Sequence, residues 1–538
     1  MRKIVRTPDF PIVETSLGKL HGFQKDDVFH FHGIRYGTAE RFQLPVMEEP
    51  WEGVKDAKSY GYVCPLMPGD MQAQCSTLHD PSDVYNPMAQ PFCTFEMPHV
   101  FWPMSEQCLY LNVFTKHLEK DAKRPVLVWL HGGGYGSGSS IELPSYDGHN
   151  FTDYGDVVFV SLNHRLNCAG FLDLSLFGEK YKYSGIAGMA DIVLALRWVH
   201  DNIEAFGGDP QNVTVAGQSG GGGKAAMLLQ MPEADGLYHK IISQSGALIR
   251  VATESLEEEK KFWQELGKRT AEKLGLDENS IDRICNIPFE QLSAATDAAG
   301  REMGREPGMM LLAPSPVEGY YTGSFEFSGF RKETKDIPVI AGTVLGEFNF
   351  MHYLGDKNKY RDHEKLEMLR GTFGENTEKI LTGFKELYPD KDILYALSID
   401  IMFRPGTVRF LNKRAAFLKE QGSNAGCWNY LFSIIIPYLG GIALYHCGDI
   451  PFVFRNVESE NVICTLGDGA GILQDQASDA WLSFMKNNDP STPDLPWPEY
   501  TLDKKARLVF DTQSAVSEKD DSDFLQMYMT YMESFFQA

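Results

Sequence analysis

The chain has 538 residues, 43% of them hydrophobic, and a formal net charge of −23 at pH 7. This acidity argues against nucleic acid or an anionic membrane as a partner, because both bind basic patches. The amino terminus has no apolar stretch of the kind a secretory signal needs, and the longest apolar run, Tyr430–Tyr445, is too short to span a bilayer. The sequence therefore predicts a cytoplasmic protein without a membrane span, whose nine cysteines are thiols.

Short apolar strands alternate with helical segments through much of the chain. Continuous apolar character predicts buried strands at Pro125–Leu130, Asp156–Leu162, Val213–Ala216 and Ile337–Ala341, and helical spacing of apolar residues predicts a helix over Gly188–Phe206. This alternation favours an α/β fold with a large, mostly parallel central sheet and helices on both faces.

Three segments depart from the alternation. Residues 58–107 concentrate proline, methionine, cysteine and aromatic residues without periodicity, which predicts an irregular loop at the rim of a site. Residues 252–296 and 354–420 are charged and amphipathic, and they predict helical cap insertions packed over the sheet. Because no flexible linker sets them apart, we expect residues 1–538 to form a single domain.

Residues 213–225 carry the most chemical information. A buried strand runs into Gly217-Gln218-Ser219-Gly220-Gly221, and a helix-compatible stretch follows. A serine between glycines at −2 and +2, in a strand–turn–helix context, is typical of a nucleophile elbow. Such a turn leaves no room for a Cβ at the glycines, and it exposes the serine hydroxyl from a strained backbone. Ser219 is therefore the predicted nucleophile.

The same glycines resemble a phosphate-binding loop, G-x-x-x-x-G-K-[ST]. Gly223-Lys224 matches its end, but Gln218 stands at the first glycine position and Ala225 replaces the hydroxyl that binds magnesium. Two required positions fail, which argues against a phosphate loop. A glycine-rich turn without chemistry is the other alternative for this motif taken alone.

An activated serine needs a base, and the base needs an acid to orient it. After an elbow of this kind the acid and then the base follow in the chain, and only His352, His363 and His446 lie well downstream. His363 lies in a run of charges typical of a solvated helix, whereas His446 lies where an apolar segment breaks into a loop. We predict His446 as the base, with His352 as a weaker alternative. Glu347 follows a predicted strand in a stretch almost free of charge, and it is the predicted acid.

The segment His131-Gly132-Gly133-Gly134 directly follows the strand that ends at Leu130. Consecutive glycines let backbone N–H groups point at one spot without interference from side chains. This loop is therefore predicted to bind the oxyanion of a tetrahedral intermediate.

Further motifs occur in one order along nearly the whole chain: Phe31–Gly37, Ser105–Val113, Asn163–Leu166, Leu194–Val199, Phe206–Pro210, Ser243–Gly246 and Trp497–Tyr500. In these motifs the chain resembles the type-B carboxylesterase/lipase (cholinesterase-like) family of α/β-hydrolases. The resemblance implies the α/β-hydrolase fold and hydrolysis of carboxylic esters.

The resemblance also implies roles for residues of the site. It implies the same nucleophile, acid and base as the elimination above, an oxyanion hole made by the N–H groups of Gly133, Gly134 and Gly220, and support of the acid–base pair by Ser245. The usual elbow of the family is G-E-S-A-G. Here Gln218 removes a charge from a buried position and Gly220 is expected to loosen the donor after the nucleophile, so the rate should differ while the reacting groups stay in place.

One cysteine also matches the family. Cys108 corresponds to a position that is disulfide-bonded in secreted members, and Cys64, Cys75 and Cys93 are possible partners. The missing signal peptide favours thiols here.

The sequence thus predicts a serine carboxylesterase that acts on a small-molecule ester through an acyl-enzyme, with no cofactor and no metal. Because the base must be neutral, activity should fall on the acid side at about pH 6–7. The alternatives are an amidase or peptidase with the same site, and a non-catalytic interaction protein of the same fold. The natural substrate and the oligomeric state stay open at this point.

Overall fold

The computed structural model describes residues 10–66, 102–246, 255–305, 311–348 and 354–537, together with Ile4–Val5, Val100 and Gly308. In this part of the chain, twelve strands form one sheet. In chain order they are β1 (Ile4–Val5), β2 (Phe23–Lys25), β3 (Val28–Arg35), β4 (Tyr110–Thr115), β5 (Arg124–Leu130), β6 (Val158–Leu162), β7 (Gly208–Gln218), β8 (Lys240–Gln244), β9 (Val339–Val344), β10 (Cys427–Phe432), β11 (Arg507–Phe510) and β12 (Ala515–Ser517).

The strands follow the order β1-β2-β3-β4-β6-β5-β7-β8-β9-β10-β11-β12 across the sheet. The central strands, from β6 to β11 in this order, are all parallel. Antiparallel strands flank them, with β1 to β4 on one side and β12 on the other. The predicted α/β fold with a large sheet is confirmed, and its parallel part is the centre.

All four strands predicted from apolar runs are present as β5, β6, β7 and β9. The strand β7 begins earlier than predicted, at Gly208, because this polar start still pairs with Arg124 of β5 across an irregularity in register. The predicted helix over Gly188–Phe206 is also present, as an α-helix over Ala187–Asn202 followed by a 3-10 turn at Ile203–Phe206.

Side chains alternate between two hydrophobic cores, one on each face of the sheet. In β5, Val126 and Val128 join one core, while Leu127 and Trp129 join the other. This alternation follows from the two-residue period of a strand, and it explains why a strand covered on both faces is apolar throughout.

Helices cover both faces. They are α1 (His149–Gly155), α2 (Asn167–Phe171), α3 (Ala187–Asn202), α4 (Gly220–Met227), α5 (Leu256–Lys273), α6 (Phe289–Glu302), α7 (Phe325–Ser328), α8 (Asp362–Phe373), α9 (Thr377–Leu387), α10 (Arg404–Gln421), α11 (Ile450–Val453), α12 (Asp468–Asn487) and α13 (Ser522–Gln537). Trp198 of α3 lies in the first core, and Trp481 of α12 lies in the second.

The segments predicted as cap insertions are largely helical. Residues 252–296 contain α5 and the start of α6, and residues 354–420 contain α8, α9 and most of α10. That the whole chain is one domain stays a prediction. Most of the predicted rim loop, residues 67–99 and 101, lies outside the described residues.

Shorter strands form small sheets beside the main one. Ile12–Glu14, Lys19–His21 and Val54–Asp56 make a three-stranded sheet, and two pairs lie at Gly37–Thr38 with Val46–Met47 and at Ile435–Ile436 with Ile442–Ala443. Within the described ranges, no helix combines the length and the apolar character that crossing a membrane requires. A cytoplasmic location stays a prediction.

Candidate active site

Ser219 lies at the turn between β7 and α4, with φ 55° and ψ −127°. This backbone conformation is rare for a residue with a side chain, and strain of this kind concentrates at functional sites. The neighbouring glycines explain why the turn is possible. A Cβ on Gly217 would lie 2.4 Å from the carbonyl carbon of Gly221, and a Cβ on Gly221 would lie 1.9 Å from the carbonyl oxygen of Leu130. The backbone at Ser219 is thus that of a nucleophile elbow.

Three neighbouring parallel strands bring the polar residues to one edge of the sheet. The strand β7 ends at Gln218, β8 ends at Gln244, and β9 ends at Val344. Ser219, Ser245 and Glu347 follow these strand ends directly or within three residues. All three have positive φ, with values of 55°, 48° and 21° respectively. The carboxyl edge of the sheet therefore carries a row of strained, buried residues.

Glu347 and His446 form a direct contact. The Nδ1 atom of His446 lies 2.5 Å from Oε2 of Glu347, and the backbone N–H of His446 donates to the Glu347 carbonyl at 2.9 Å. The other carboxylate oxygen, Oε1, accepts from the Ser245 hydroxyl at 2.7 Å and from the Val344 N–H at 3.0 Å. A carboxylate held at both oxygens fixes the orientation of the imidazole and directs its Nε2 away from the acid.

Burial acts in opposite directions on the two groups. It raises the pKa of the Glu347 carboxyl, and the hydrogen bonds from Ser245 and Val344 oppose that change. Burial lowers the pKa of the His446 imidazole below its ordinary value, and the Asp449 and Asp400 carboxyls oppose that change. A lowered pKa keeps His446 neutral at pH 7, which is the state that a general base requires.

The amide of Gln218 covers one side of the His446 ring. Its Nε2 lies 3.3 Å from Nδ1 and 3.4 Å from Nε2 of the imidazole. An in-plane group at these distances from both nitrogens would collide with ring carbon, so the amide faces the flat side of the ring. The amide oxygen accepts a hydrogen bond from the Cys447 thiol at 2.9 Å. Gln218, which has no exposed surface, is thus held between its neighbours.

Two aromatic rings also contact the imidazole. The ring of Phe403 stacks on His446 with centroids 4.8 Å apart, and the ring of Phe348 lies at 4.5 Å in a tilted arrangement. These contacts restrict rotation of the imidazole.

In the described part of the chain, no hydrogen bond joins the Ser219 hydroxyl to His446. Catalytic hydrogen bonds are often long in enzymes without substrate and tighten when substrate binds.

The glycine loop after β5 lies beside the serine. A Cβ on Gly132 would lie 3.3 Å from the Ser219 Cβ, and Gly133 and Gly134 both have positive φ, 83° and 61°. The Gly133 carbonyl accepts hydrogen bonds from the Ser137 N–H at 2.9 Å and from the Ser137 hydroxyl at 3.2 Å. The loop is therefore folded back on itself next to Ser219.

The structure corrects the interpretation of Gly220. The sequence suggested that glycine loosens this position, but a Cβ on Gly220 would lie 2.1 Å from the Gly134 carbonyl oxygen. Helix α4 and the glycine loop approach each other more closely than any side chain allows. Glycine at residue 220 therefore permits a tight contact.

Two carboxyl groups close to His446, Asp449 and Asp400, were not predicted from the sequence. Asp449 accepts hydrogen bonds from Gln244 Nε2 and from the Tyr430 hydroxyl, each at 2.9 Å, and burial raises its pKa. Asp400 accepts from the N–H groups of Met402 at 2.8 Å and Phe403 at 3.0 Å. Asp449 lies three residues after His446 and could have been found from this spacing. Asp400 leaves no such signal, because the contact arises only from folding.

The other histidines and cysteines considered from the sequence are not part of the Glu347–His446 contact. His352, the weaker alternative for the base, lies outside the described residues, and His363 is exposed on α8. Cys64 and Cys108 are buried free thiols, whereas Cys75 and Cys93 lie outside the described residues. No group of three or more His, Cys, Asp or Glu side chains that could hold a metal ion occurs within the described ranges.

Comparison with known proteins assigns the chain to a family. The model of the carboxylesterase family matches residues 9–528, which is almost the whole chain. The chain belongs to the carboxylesterase family. The resemblance stated from the sequence motifs is confirmed.

Individual relatives agree with this assignment. The chain is 30% identical over 521 residues to a para-nitrobenzyl esterase of Bacillus subtilis (strain 168), covering 95% of this chain and 97% of the relative. It is 28% identical to a phenmedipham hydrolase of Pseudarthrobacter oxydans, with the same two coverages.

Solved structures of esterases share the fold. A structure of an esterase from the anaerobe Clostridium hathewayi, described as able to hydrolyse aliphatic aromatic polyesters, has 38% identity and a TM-score of 0.86. That match covers 99% of this chain and all of the other. A thermophilic para-nitrobenzyl esterase matches with 28% identity and a TM-score of 0.71. The α/β-hydrolase fold is confirmed, and the chain is a carboxylic ester hydrolase.

Proposed function

We propose that this carboxylesterase works through an acyl-enzyme on Ser219. His446 takes the hydroxyl proton while Oγ bonds to the ester carbonyl carbon, and the tetrahedral intermediate carries its negative charge on the former carbonyl oxygen. The ester C–O bond then breaks, and His446 gives the proton to the departing alcohol. Water, deprotonated by His446, attacks the acyl-enzyme, and the carboxylic acid leaves as Oγ regains a proton.

The other site residues support these steps. Glu347, held by Ser245, orients His446 and stabilises its protonated form. The N–H groups of Gly133, Gly134 and Gly220 bind the oxyanion, and Gly220 offers the N–H at the start of a helix, where no intrahelical acceptor exists. The proposal rests above all on one observation: the strained Ser219 directly follows Gln218, whose amide lies 3.3 Å from the imidazole of His446, and that imidazole contacts Glu347 at 2.5 Å.

The first test is the variant Ser219→Ala. It removes the nucleophile from an enzyme that turns over a p-nitrophenyl ester, and we expect kcat to fall by a factor of about 10⁴ or more. A fluorophosphonate probe should label the wild-type protein and leave the variant unlabelled. Ser137→Ala, a change of a buried serine three residues after the glycine loop, is the matched control and should still be labelled.

A Ser219→Ala protein that keeps wild-type turnover would overturn the proposal. Paired assays of an ester and of the amide with the same acyl group then separate an esterase from an amidase. We expect the ester to be turned over faster by a large factor, because an amide has the poorer leaving group.

The names of two relatives guide the choice of esters. The para-nitrobenzyl esterase and the esterase described as acting on aliphatic aromatic polyesters both have an aromatic group in those descriptions. We propose aryl-bearing carboxylic esters as the substrate class of this chain. A cavity beside α4 has aromatic and apolar walls that include Tyr135, Met227 and Phe325 and suit an aryl group, and its lining also contains Glu259 and Glu326. Paired p-nitrobenzyl and ethyl esters of one acid test it, with higher kcat/KM expected for the former.

A further inference from the structure

A lysine is buried beneath the glycine loop. Lys224 lies on α4, five residues after Ser219, and has no exposed surface. Lysine is among the side chains that are least often fully buried, because removal of the ammonium from water is costly. The mechanism above does not use this group, although it lies one and a half turns of helix from the nucleophile.

The lysine reaches the base of the loop that faces the serine. Its Nζ donates to the His131 carbonyl at 3.3 Å, and His131 is the residue directly before Gly132. The His131 carbonyl also lies close to the backbone of Gly221 in α4, because a Cβ on Gly221 would lie 2.6 Å from the His131 carbonyl oxygen. Lys224 therefore ties the beginning of the glycine loop to the helix that carries Ser219.

Three titratable side chains act on Lys224 or respond to it: His131, His164 and Glu142. The imidazoles of His131 and His164 stack with centroids 5.0 Å apart, and burial together with Lys224 lowers the pKa of both, so that neither competes as a cation. The carboxyl of Glu142 favours the protonated form of Lys224, while burial raises the pKa of Glu142 itself to about 7. Burial lowers the pKa of Lys224 to about 7, so a negative charge that develops nearby would favour its protonated form.

We propose that Lys224 is a positioning residue for the oxyanion loop, which it holds against α4 while its charge favours the oxyanion. This inference rests on the proposed function, because it concerns the hole that would stabilise the intermediate on Ser219. Lys224 does not touch the reacting atoms. It acts through the His131 carbonyl and through a field that is strong where water is excluded.

The test replaces Lys224 by methionine, which keeps the length and removes both the hydrogen bond and the charge. Replacement of a buried charge by an apolar group of similar shape is often neutral or stabilising, so we expect the melting temperature to stay equal or rise. In Lys224→Met, kcat on a p-nitrophenyl ester should fall about 10- to 100-fold, while KM stays within about twofold of its wild-type value. This fall in kcat is smaller than the one that removal of a direct oxyanion donor causes. The affinity for a trifluoromethyl ketone, which forms a tetrahedral oxyanion adduct, should fall by the same factor as kcat.

Lys240→Met is the matched control. Lys240 is also buried, with its Nζ on the Asn212 side chain, but it begins β8 at the opposite edge of the sheet. We expect this variant to keep wild-type kcat and inhibitor affinity. If Lys224→Met and Lys240→Met match in kcat and in ketone affinity, Lys224 only packs and the inference is wrong.

A second variant covers the case in which Lys224→Met does not fold, and Ser219→Ala tests the proposed function separately. If Lys224→Met does not fold, Lys224→Gln replaces it. Glutamine loses the charge but keeps an N–H donor, so kcat and ketone affinity should fall by a smaller common factor, and unchanged values of both would again show that the inference is wrong. Turnover that survives in Ser219→Ala would overturn the proposed function itself, and it is independent of any result at Lys224.

Discussion

At the scale of single residues, the proposed base, His446, is contacted on the flat faces of its ring as well as at its Nδ1 edge. Glu347 contacts Nδ1 of His446, the Gln218 amide covers a flat side, and Phe403 stacks on the ring. Each contact restricts the imidazole, and together they remove it from water. A base that is oriented and desolvated in this way is neutral over a wider range of pH than a free histidine.

The pH dependence of activity follows from this burial. Because the base must be neutral, activity is lost as the pH falls through the pKa of His446, and burial lowers that pKa. We therefore expect the acid limb of kcat/KM below about pH 6.5, the ordinary value for histidine, and thus at or below the limb that the sequence alone suggested. The variant Gln218→Glu places a carboxylate against the ring and should move this limb up by about 1 pH unit or more.

The control for this prediction is Gln218→Met, which removes the amide without adding charge and should leave the acid limb near its wild-type position. Profiles of kcat/KM between pH 4 and 8 on a p-nitrophenyl ester measure all three proteins. An acid limb of Gln218→Glu that coincides with the wild-type limb would show that residue 218 does not act on the base.

At the scale of elements, the site depends on how closely a loop approaches a helix. The glycine loop after β5 contacts the first turn of α4, where a Cβ on Gly220 would lie 2.1 Å from the Gly134 carbonyl oxygen. Backbone cannot yield as the end of a flexible side chain does. The position of the loop is thus set by a glycine on the opposite element.

Gly220→Ala should push the loop away from Ser219. We expect kcat to fall at least about tenfold with little change in KM, because the oxyanion donors would be displaced while the rest of the site is kept. Steady-state kinetics on a p-nitrophenyl ester measure the effect. An unchanged kcat would show that the loop accommodates a methyl group without cost.

Gly371→Ala is the control for this change. Gly371 lies within α8, and no atom lies within 4 Å of the position that a Cβ would take. The alanine should leave kcat unaltered and raise the free energy of unfolding by about 0.5–1 kcal/mol, as expected for a glycine in a helix.

At the scale of the whole molecule, a cluster of buried histidines joins β3, the third strand from one end of the sheet, to helix α1. His30 and His32 of β3 and His149 of α1 form a chain in which His30 Nδ1 lies 3.3 Å from His32 Nε2 and His30 Nε2 lies 3.0 Å from His149 Nδ1. Burial lowers the pKa of His30 to about 2 and that of His32 to about 3. These imidazoles stay neutral in the folded protein under conditions in which an unfolded chain would protonate them.

Stability should therefore fall in acid. Below the unfolded pKa of about 6.5, the unfolded chain binds more protons than the folded one. Each such histidine therefore lowers the free energy of unfolding, by up to about 1.4 kcal/mol for each unit by which the pH falls. In a double variant, His30→Leu with His32→Phe, this slope between pH 6 and 4.5 should be smaller by about 2.5 kcal/mol per pH unit. Urea unfolding at several pH values measures it.

His363→Leu serves as the control, because His363 is exposed on α8, and it should leave the slope unaltered. A double variant whose stability depends on pH as steeply as the wild-type protein would show that the histidine chain does not control acid unfolding.

The sequence by itself determined the elements that obey local rules. The apolar runs at β5, β6 and β9 identify strands because a strand buried on both faces is apolar at most of its positions. Ser219 could be predicted as the nucleophile because a nucleophile elbow requires glycines at fixed offsets. His446 and Glu347 could be predicted because few histidines follow the serine and because parallel strands end at one edge.

Only the tertiary structure decided which side chains meet. Glu347 and His446 are 99 residues apart, and Gln218 and His446 are 228 apart, so no local pattern predicts their contacts. The tight approach of Gly220 to Gly134 and the burial of Lys224 also depend on how a loop packs on a helix. Sequence periodicity records which face of an element is buried. It does not record which distant group lies against that face, and that choice sets the chemistry around Ser219.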